Sequence, residues 1–455
     1  PASRRHATLR ATLEWSVDAL GPAARRAFCS LSVFASGWDL PAAAAVLDLD
    51  EIEALDAIDG LVHRSLVVAE SRGEEARYRY LEPVRQLALQ NLLTCEDEAS
   101  GAVRRMVQHF VGLAQQAGPA LIGPEQTRWL DRIELEHENL MAAVEDCASL
   151  PAGAESALRI TGSLWRFWNV RGRLRTGLET VRRALAMPGA ESAGLARAGA
   201  LYAAAALIAS DTGGQRGADE FFEQALVIYR AHEDELGMAR CLSGLGAVTS
   251  ARRDFAAGAK HLHEAQGLFR RLGDRRGLAA TLNNLGAAAW NQGDLDSAGR
   301  AVGEALDLSR ESGDLNNVAQ LSVTMAFIDT RLRRADSARR HLRECLSTLG
   351  ALGARHSSAG GALLASAELA TLEGRFADCV RWLGAADLVL ERIGLVFDEQ
   401  DVWWKERERC RKECGVHLGE EAAEREYQAG RAIEAEQALS LALASLDAAE
   451  APATL

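Results

Sequence analysis

Cys410, Cys414 and His417 fall at i, i+4 and i+7, the spacing that would set three metal ligands on one helix face. A fourth ligand is missing nearby and Gly415 is expected to interrupt the helix, so the expectation is buried thiols and no zinc. Phosphate chemistry is not encoded either. A phosphate-binding loop ends in Gly-Lys-Ser/Thr so that the lysine reaches the phosphates, and the three lysines, Lys260, Lys405 and Lys412, neither follow glycine nor precede Ser or Thr. No Gly-x-Ser-x-Gly elbow, His-Glu-x-x-His helix or calcium loop occurs. The expectation is a chain without catalysis and without a cofactor of its own, acting by recognition.

The elements that would present a recognition surface repeat. Trp165, Ala206, Gly246, Gly286, Ala326 and Ala367 recur at steps of 41, 40, 40, 40 and 41 residues. Twelve residues after each mark stand Gly177, Ala218, Gly258, Ala298, Ala338 and Cys379. Nineteen after stand Ala184, Ala225, Ala265, Ala305, Cys345 and Ala386, and sixteen after a large apolar residue such as Phe222, Leu262 or Leu342. Such a period signals stacked repeats, here a pair of antiparallel helices per unit whose small residues let the two approach closely. Turn glycines are expected at Gly172, Gly213, Gly293 and Gly374, with Arg253 and Arg333 in their place in two units. Helix ends are expected at Gly273, Gly313, Gly353 and Gly394.

Residues 1–95 do not follow the period. Apolar spacing predicts helices over Thr8–Leu20, from Pro22 through Phe28, Leu31 and Phe34, over Pro41–Leu47 and over Glu51–Arg64. Two short strands are expected at Ser65–Glu70 and Ala76–Leu81, then a helix from Pro83. Helices followed by a two-stranded wing make a winged helix. Its 10 Arg and no Lys stand against 13 Asp and Glu, a poor balance for neutralising phosphates, so DNA binding is not expected. Two long amphipathic helices are expected between about 100 and 150, and capping helices after Gly394.

The predicted fold class is all-α with a small β wing: an N-terminal winged helix, then a tetratricopeptide-like α-solenoid. The expected divisions are a winged-helix domain over 1–95, connecting helices over 96–154, about six repeats over 155–396 and C-terminal caps over 397–455. A net charge of -13 and a pI near 5.4 argue against general nucleic-acid or anionic-membrane partners. No apolar run is long enough to span a bilayer, and eight scattered cysteines suggest reduced thiols, hence a cytoplasmic location. Beginning at Pro1, the chain is expected to be an excerpt of a longer polypeptide.

Two resemblances refine this. Leu242, Leu245-Gly246, Gly258, Leu262, Ala265 and Leu282, Leu285-Gly286, Ala298, Val302, Ala305 resemble the tetratricopeptide repeat, with a longer period and without its closing proline. Thr8–Ser16, Leu31–Ala35, Arg64–Val67, Arg77–Arg85, Glu136-His137-Glu138-Asn139-Leu140 and Ala429-Gly430-Arg431-Ala432 resemble the region after the ATPase core of STAND-class bacterial regulators of AfsR/LuxR-like architecture. That resemblance implies a winged helix packed on an upstream nucleotide-binding domain, where ATP or ADP and Mg would bind, and a repeat arm that senses an effector. Many relatives carry a Met-His-Asp triplet where this chain has Leu81-Glu82-Pro83, and a carboxylate there would repel phosphate.

By the repeat family's register, the groove-facing residues are Arg240, Ser243, Asn283, Trp290, Gln320, Phe327 and Arg331. Asn can bind a peptide amide with donor and acceptor, Arg can grip a carboxylate with two N–H groups, and the aromatics offer flat apolar contact. The competing expectation is that Trp290 and Phe327 are core between units and the polar residues are merely solvated. Expected partners are a protein, a peptide or a small effector, together with the upstream domain, with an oligomer formed on ligand binding as one outcome. The rival functions are a scaffold with no switching role and a DNA-binding winged helix.

Overall fold

The computed structural model describes residues 13–72, 75–122, 125–210, 217–352, 358–392 and 402–448. They form two compact units, the first reaching Leu121 and adding Arg128–Phe167 and Gly177–Ala203, the second taking Ile122–Thr127, Trp168–Thr176 and everything from Ala204 onward.

The first unit begins with α1 (Pro22–Ser30), α2 (Leu40–Leu47) and α3 (Glu51–Val62), then the antiparallel pair β1 (Val68–Arg72) and β2 (Glu75–Arg79), then α4 (Glu82–Leu92). Pro22 and Pro83 sit in first turns, where a missing N–H costs nothing, and Asp39 and Asp50 cap α2 and α3 by accepting backbone N–H bonds. The strands are shifted from the expected segments. Ser65, at φ 58, and Leu66 instead close α3, donating to the carbonyls of Val62 and Leu61, so pairing starts at Val68, opposite Arg79. Trp38 adds a bridge to Tyr78, and around it pack Phe28, Phe34, Tyr80 and Phe110, with the Tyr80 hydroxyl donating to the Phe28 carbonyl at 2.8 Å. Of the expected first helix, residues 13–18 are helical and 8–12 lie outside the described residues.

Where two long helices were expected there are three: α5 (Glu96–Ala120), α6 (Gln126–Leu135) and α7 (His137–Asp146). The break falls at Glu136, whose backbone turns to φ -94 and ψ 3 and whose side chain is taken inward. The chain continues into α8 (Gly153–Val170), α9 (Leu174–Leu185) and α10 (Gly194–Ser210).

The second unit is built of helical hairpins. After α11 (Ala218–Ala231) come α12 (Glu235–Ala251) with α13 (Phe255–Leu272), α14 (Arg275–Asn291) with α15 (Leu295–Ser312), α16 (Leu315–Arg331) with α17 (Ala335–Leu352), and α18 (Ser358–Leu372) with α19 (Phe376–Arg392). The small marked residues stand at the crossings. A Cβ on Gly246 or on Gly258 would come within 2.9 Å of the other's carbonyl oxygen, and one on Gly286 would strike Val302. Ala298, Ala326, Ala338 and Ala367 are fully buried. Arg253 and Arg333 adopt the left-handed turn, φ 69 and 56, that Gly293 and Gly374 make in the other hairpins. That conformation costs a side-chain-bearing residue about 1 kcal/mol. Gly213, Gly353 and Gly394 lie outside the described residues.

A second punctuation recurs every 20 residues. Asp234, Asp254, Asp274, Asp294 and Asp314 each precede a helix and accept an N–H bond from the residue three places on, at 2.9–3.1 Å. Each such cap contributes about 1 kcal/mol. Exposed pairs such as Arg270–Glu304 and Arg310–Glu344 link successive second helices, and being solvated they set register more than stability.

The hairpins are followed by α20 (Val402–Leu418), α21 (Glu420–Arg431) and α22 (Ala435–Ala448). Contrary to expectation, α20 runs through Gly415 without a break, since one glycine costs a helix only about 1 kcal/mol against Ala and Cys410 and Cys414 on the same helix are buried in the core. Helix α21 crosses α19 at Gly384 and Gly430, where a Cβ on either would meet backbone oxygen at 2.1 and 2.0 Å.

Candidate functional site

Within the first unit, the wing is fastened by buried polar groups. Arg77 on β2 donates to the Gly37 carbonyl at 2.7 Å and to the Glu136 carboxylate. Asn139, fully buried on α7, accepts from the Ser36 N–H at 3.0 Å and donates to the Gly37 carbonyl at 2.9 Å and to the second Glu136 oxygen at 2.8 Å. Every polar atom of that carboxylate and amide is used. Strand β2, the 36–37 loop and the start of α7 are thereby tied to one another.

Within the second unit, the first helices of three successive hairpins, α12, α14 and α16, carry the residues singled out from the sequence. Arg240 and Gln320 are exposed and Asn283 is half-buried. Ser243 is instead occupied between repeats: its hydroxyl accepts from Thr281 at 3.1 Å and from Asn284 at 3.3 Å. The sequence pointed to Asn283, yet its neighbour Asn284 makes the bridge.

The last hairpins differ, because α20 packs on α18 and α19. Phe327 is buried and belongs to the core, the competing expectation for that residue. With Leu364, Glu368, Leu383, Arg407 and Cys410 it closes a space that leaves no room for a water molecule. Trp290, partly buried, holds Arg331 over its ring at 5.2 Å, and Arg331 reaches Glu406 of α20 at 2.8 Å and lies 3.8 Å from Glu368. Trp290 of α14 and Phe327 and Arg331 of α16 thus come together, the latter two engaged by α20, while Arg240 on α12, Asn283 on α14 and Gln320 on α16 stay exposed or half-buried.

Burial pushes the Glu368 carboxyl up to about 8, against the lowering pull of Arg331, with Cys410 and Glu406 raising it further and Arg409 lowering it. A folded-state value above the unfolded 4.5 means that the folded chain binds the extra proton. Its contribution to stability is complete below pH 4.5 and is lost as pH rises toward about 8. Melting temperature is expected to fall across that window, and Glu368→Gln to flatten the fall; an unchanged slope in melts of the variant would refute the assignment.

Comparison with known proteins places the two units. Residues 20–93 match the winged helix-turn-helix domain family. A Mycobacterium tuberculosis protein bearing the name HTH-type transcriptional regulator is 35% identical over 180 residues, 39% of this chain and 20% of its own. An uncharacterized protein of the same organism is 37% identical over 113 residues, 24% of this chain and 28% of its own. The chain thus matches only about a fifth to a quarter of the length of these relatives. Among solved structures, a Signal Transduction ATPase with Numerous Domains (STAND) protein with a tetratricopeptide repeat sensor, from Pyrococcus horikoshii, superposes with a TM-score of 0.57 at 14% identity. That superposition covers 96% of this chain and 61% of the other, and it shows the shared fold.

The chain contains a winged helix-turn-helix domain followed by tetratricopeptide-like helical repeats. Helix α3, which such a domain would lay in a DNA groove, carries Glu51, Glu53, Asp56 and Asp59 and no Lys or Arg. Glu82, in the first turn of α4, is bound by Arg85 at 2.9 Å and by Gln86 at 2.9 Å, and the Arg85 bond, then the Gln86 bond, hold its carboxyl below the usual range. It therefore stays ionised near neutral pH. No helix among the described residues is long and apolar enough to cross a membrane.

Proposed function

We propose that this chain is the non-catalytic regulatory portion of a STAND-type transcriptional regulator of the AfsR/LuxR-like kind, binding a protein, peptide or small effector on the first-helix face of its repeats. One observation carries the reading: at Phe327 and Arg331 that face is already filled by a helix, α20, whose Glu406 sits on Arg331, while the polar side chains of Arg240, Asn283 and Gln320 on α12, α14 and α16 stay exposed or half-buried. The effector would favour one arrangement of the arm over another, and its differential affinity is the signal. Arg77, Glu136 and Asn139 are the groups that would carry such a change between the wing and α7. Nucleotide and Mg would belong to an upstream domain, which the winged helix would contact. DNA binding by the winged helix, which its family match favours, is set behind by the acidic α3. A scaffold without switching would bind partners with no effect on an upstream ATPase.

The test selects peptides from a display library on the immobilised chain and measures their affinity for the Asn283→Ala, Trp290→Ala double variant. Affinity is expected to fall at least tenfold with far-UV circular dichroism unchanged. Binders indifferent to the double variant would place the site elsewhere.

A further inference from the structure

The seat made by Trp290, Phe327, Arg331 and Glu368 is filled by a part of the chain itself. Arg331 lies 5.2 Å from the Trp290 ring centroid, an arrangement that fixes the guanidinium and leaves its N–H fork to grip a carboxylate. Glu406 of α20 supplies that carboxylate at 2.8 Å. One turn further along α20, Cys410 shares a closed space with Phe327 and Leu364, and a turn beyond it Cys414 is buried in the same core. Both pack as small apolar groups, while His417 stacks on Phe376 at 4.0 Å. The face that α20 lays on the arm is therefore an acid followed by small apolar residues at i+4 and i+8.

Breaking the ion pair that holds this face leaves neither charge alone. The second Glu406 oxygen already accepts from Arg409 of its own helix at 2.7 Å. Behind Arg331 stands another carboxylate, Glu368, whose Oε2 is 3.8 Å from Arg331 Nε, and both of these atoms are buried without a hydrogen-bond partner. With α20 seated, they bear the cost of an unmade bond. With α20 lifted, a small turn of the guanidinium joins them, and Arg409 keeps Glu406. Helix α21, by contrast, is fitted to α19 backbone against backbone at Gly384 and Gly430. The removable piece is α20.

We propose that this seat is an effector site with α20 as its built-in occupant, and that the effector is a protein or peptide helix which displaces α20. The helix carries Glu or Asp at one position and small apolar residues four and eight positions later. This inference rests on the effector-binding reading above and narrows it to one class of ligand. The incoming carboxylate takes the place of Glu406 on Arg331, and the apolar residues cover Phe327 and Leu364 as Cys410 now does. The seat is open only in the fraction of molecules from which α20 is absent, so the affinity of the chain for such a helix is lowered by that fraction. A change that loosens α20 therefore raises the affinity without altering the seat.

The probe is a dye-labelled synthetic peptide copying Val402–Leu418, added under reducing conditions to the full chain and followed by fluorescence anisotropy. Glu406→Gln, which weakens the chain's own hold on the seat, is expected to bind the peptide about tenfold more tightly than the parent chain does. Arg331→Gln added to that variant should abolish the gain, and a peptide with Gln in place of Glu406 should bind neither chain. A second measurement needs no variant to fold: an excess of isotope-labelled peptide should speed hydrogen exchange along the parent chain's own α20 while α19 and α21 keep their protection. Equal affinity of the parent and Glu406→Gln chains, binding by neither, or α20 exchange unmoved by excess peptide would overturn the proposal. Library peptides that depend on Asn283 and Trp290 yet ignore Glu406→Gln would sink this inference and leave the effector-binding reading standing.

Discussion

Replacing Asn139 with alanine is expected to cost about 3 kcal/mol, because it strips hydrogen bonds at once from buried Glu136 and from half-buried Ser36 and Gly37. The Ser36 N–H loses its acceptor, the Gly37 carbonyl loses one donor, and Glu136 keeps its charge with Arg77 as its remaining support. A melting temperature lower by roughly 10 °C for the transition that includes the winged helix would be the readout. Glu136→Leu paired with Arg77→Met should cost far less than Glu136→Leu alone, since a stranded buried charge is worse than an apolar pair. Equal melts for Asn139→Ala and the parent chain would mean that this network only decorates the surface of the wing.

Gly430→Val should detach the C-terminal helices from the last hairpin. A Cβ at Gly430 would lie 2.0 Å from the Arg381 carbonyl oxygen, and the facing Gly384 would suffer likewise against Tyr427, so neither helix has room to yield. The expected cost is about 3 kcal/mol, the upper range for overpacking, because the obstacle is backbone and not a movable side chain. Hydrogen exchange should then speed up along α21 and α19, and the ion pairs Arg381–Glu426 and Arg431–Glu391 should be lost with the crossing. Retained protection of α21 in the variant would show that another contact holds it.

Much of this was legible from the sequence where spacing and side-chain size act together. Gly246 and Gly258 announced a close crossing twelve residues apart, and they face each other across it. The motifs Glu136–Leu140 and Ala429–Ala432 could be recognised as significant but not interpreted, because what they do depends on partners far away in the chain: Ser36, Gly37 and Arg77 for one, Gly384 and Arg381 for the other. Phe327 was ambiguous for a related reason. Its place on α16 suits a groove or a core equally, and what decides is α20, more than seventy residues later, lying across it. The aspartate caps were missed although each stands in plain view, since a lone Asp before a helix gains meaning only when the interval of 20 residues between Asp234 and Asp254 is seen to persist to Asp314.

Those aspartates carry an implication for how such an arm changes over generations. Asp254 and Asp294 are followed by Phe255 and Leu295 and introduce equivalent helices, so removing the forty residues between them rejoins like to like. Every start signal and every interdigitating surface survives such an excision, and a tandem copy inserts as cleanly. Reach is therefore a quantised, heritable variable for this architecture, adjustable in whole hairpins without redesigning either end.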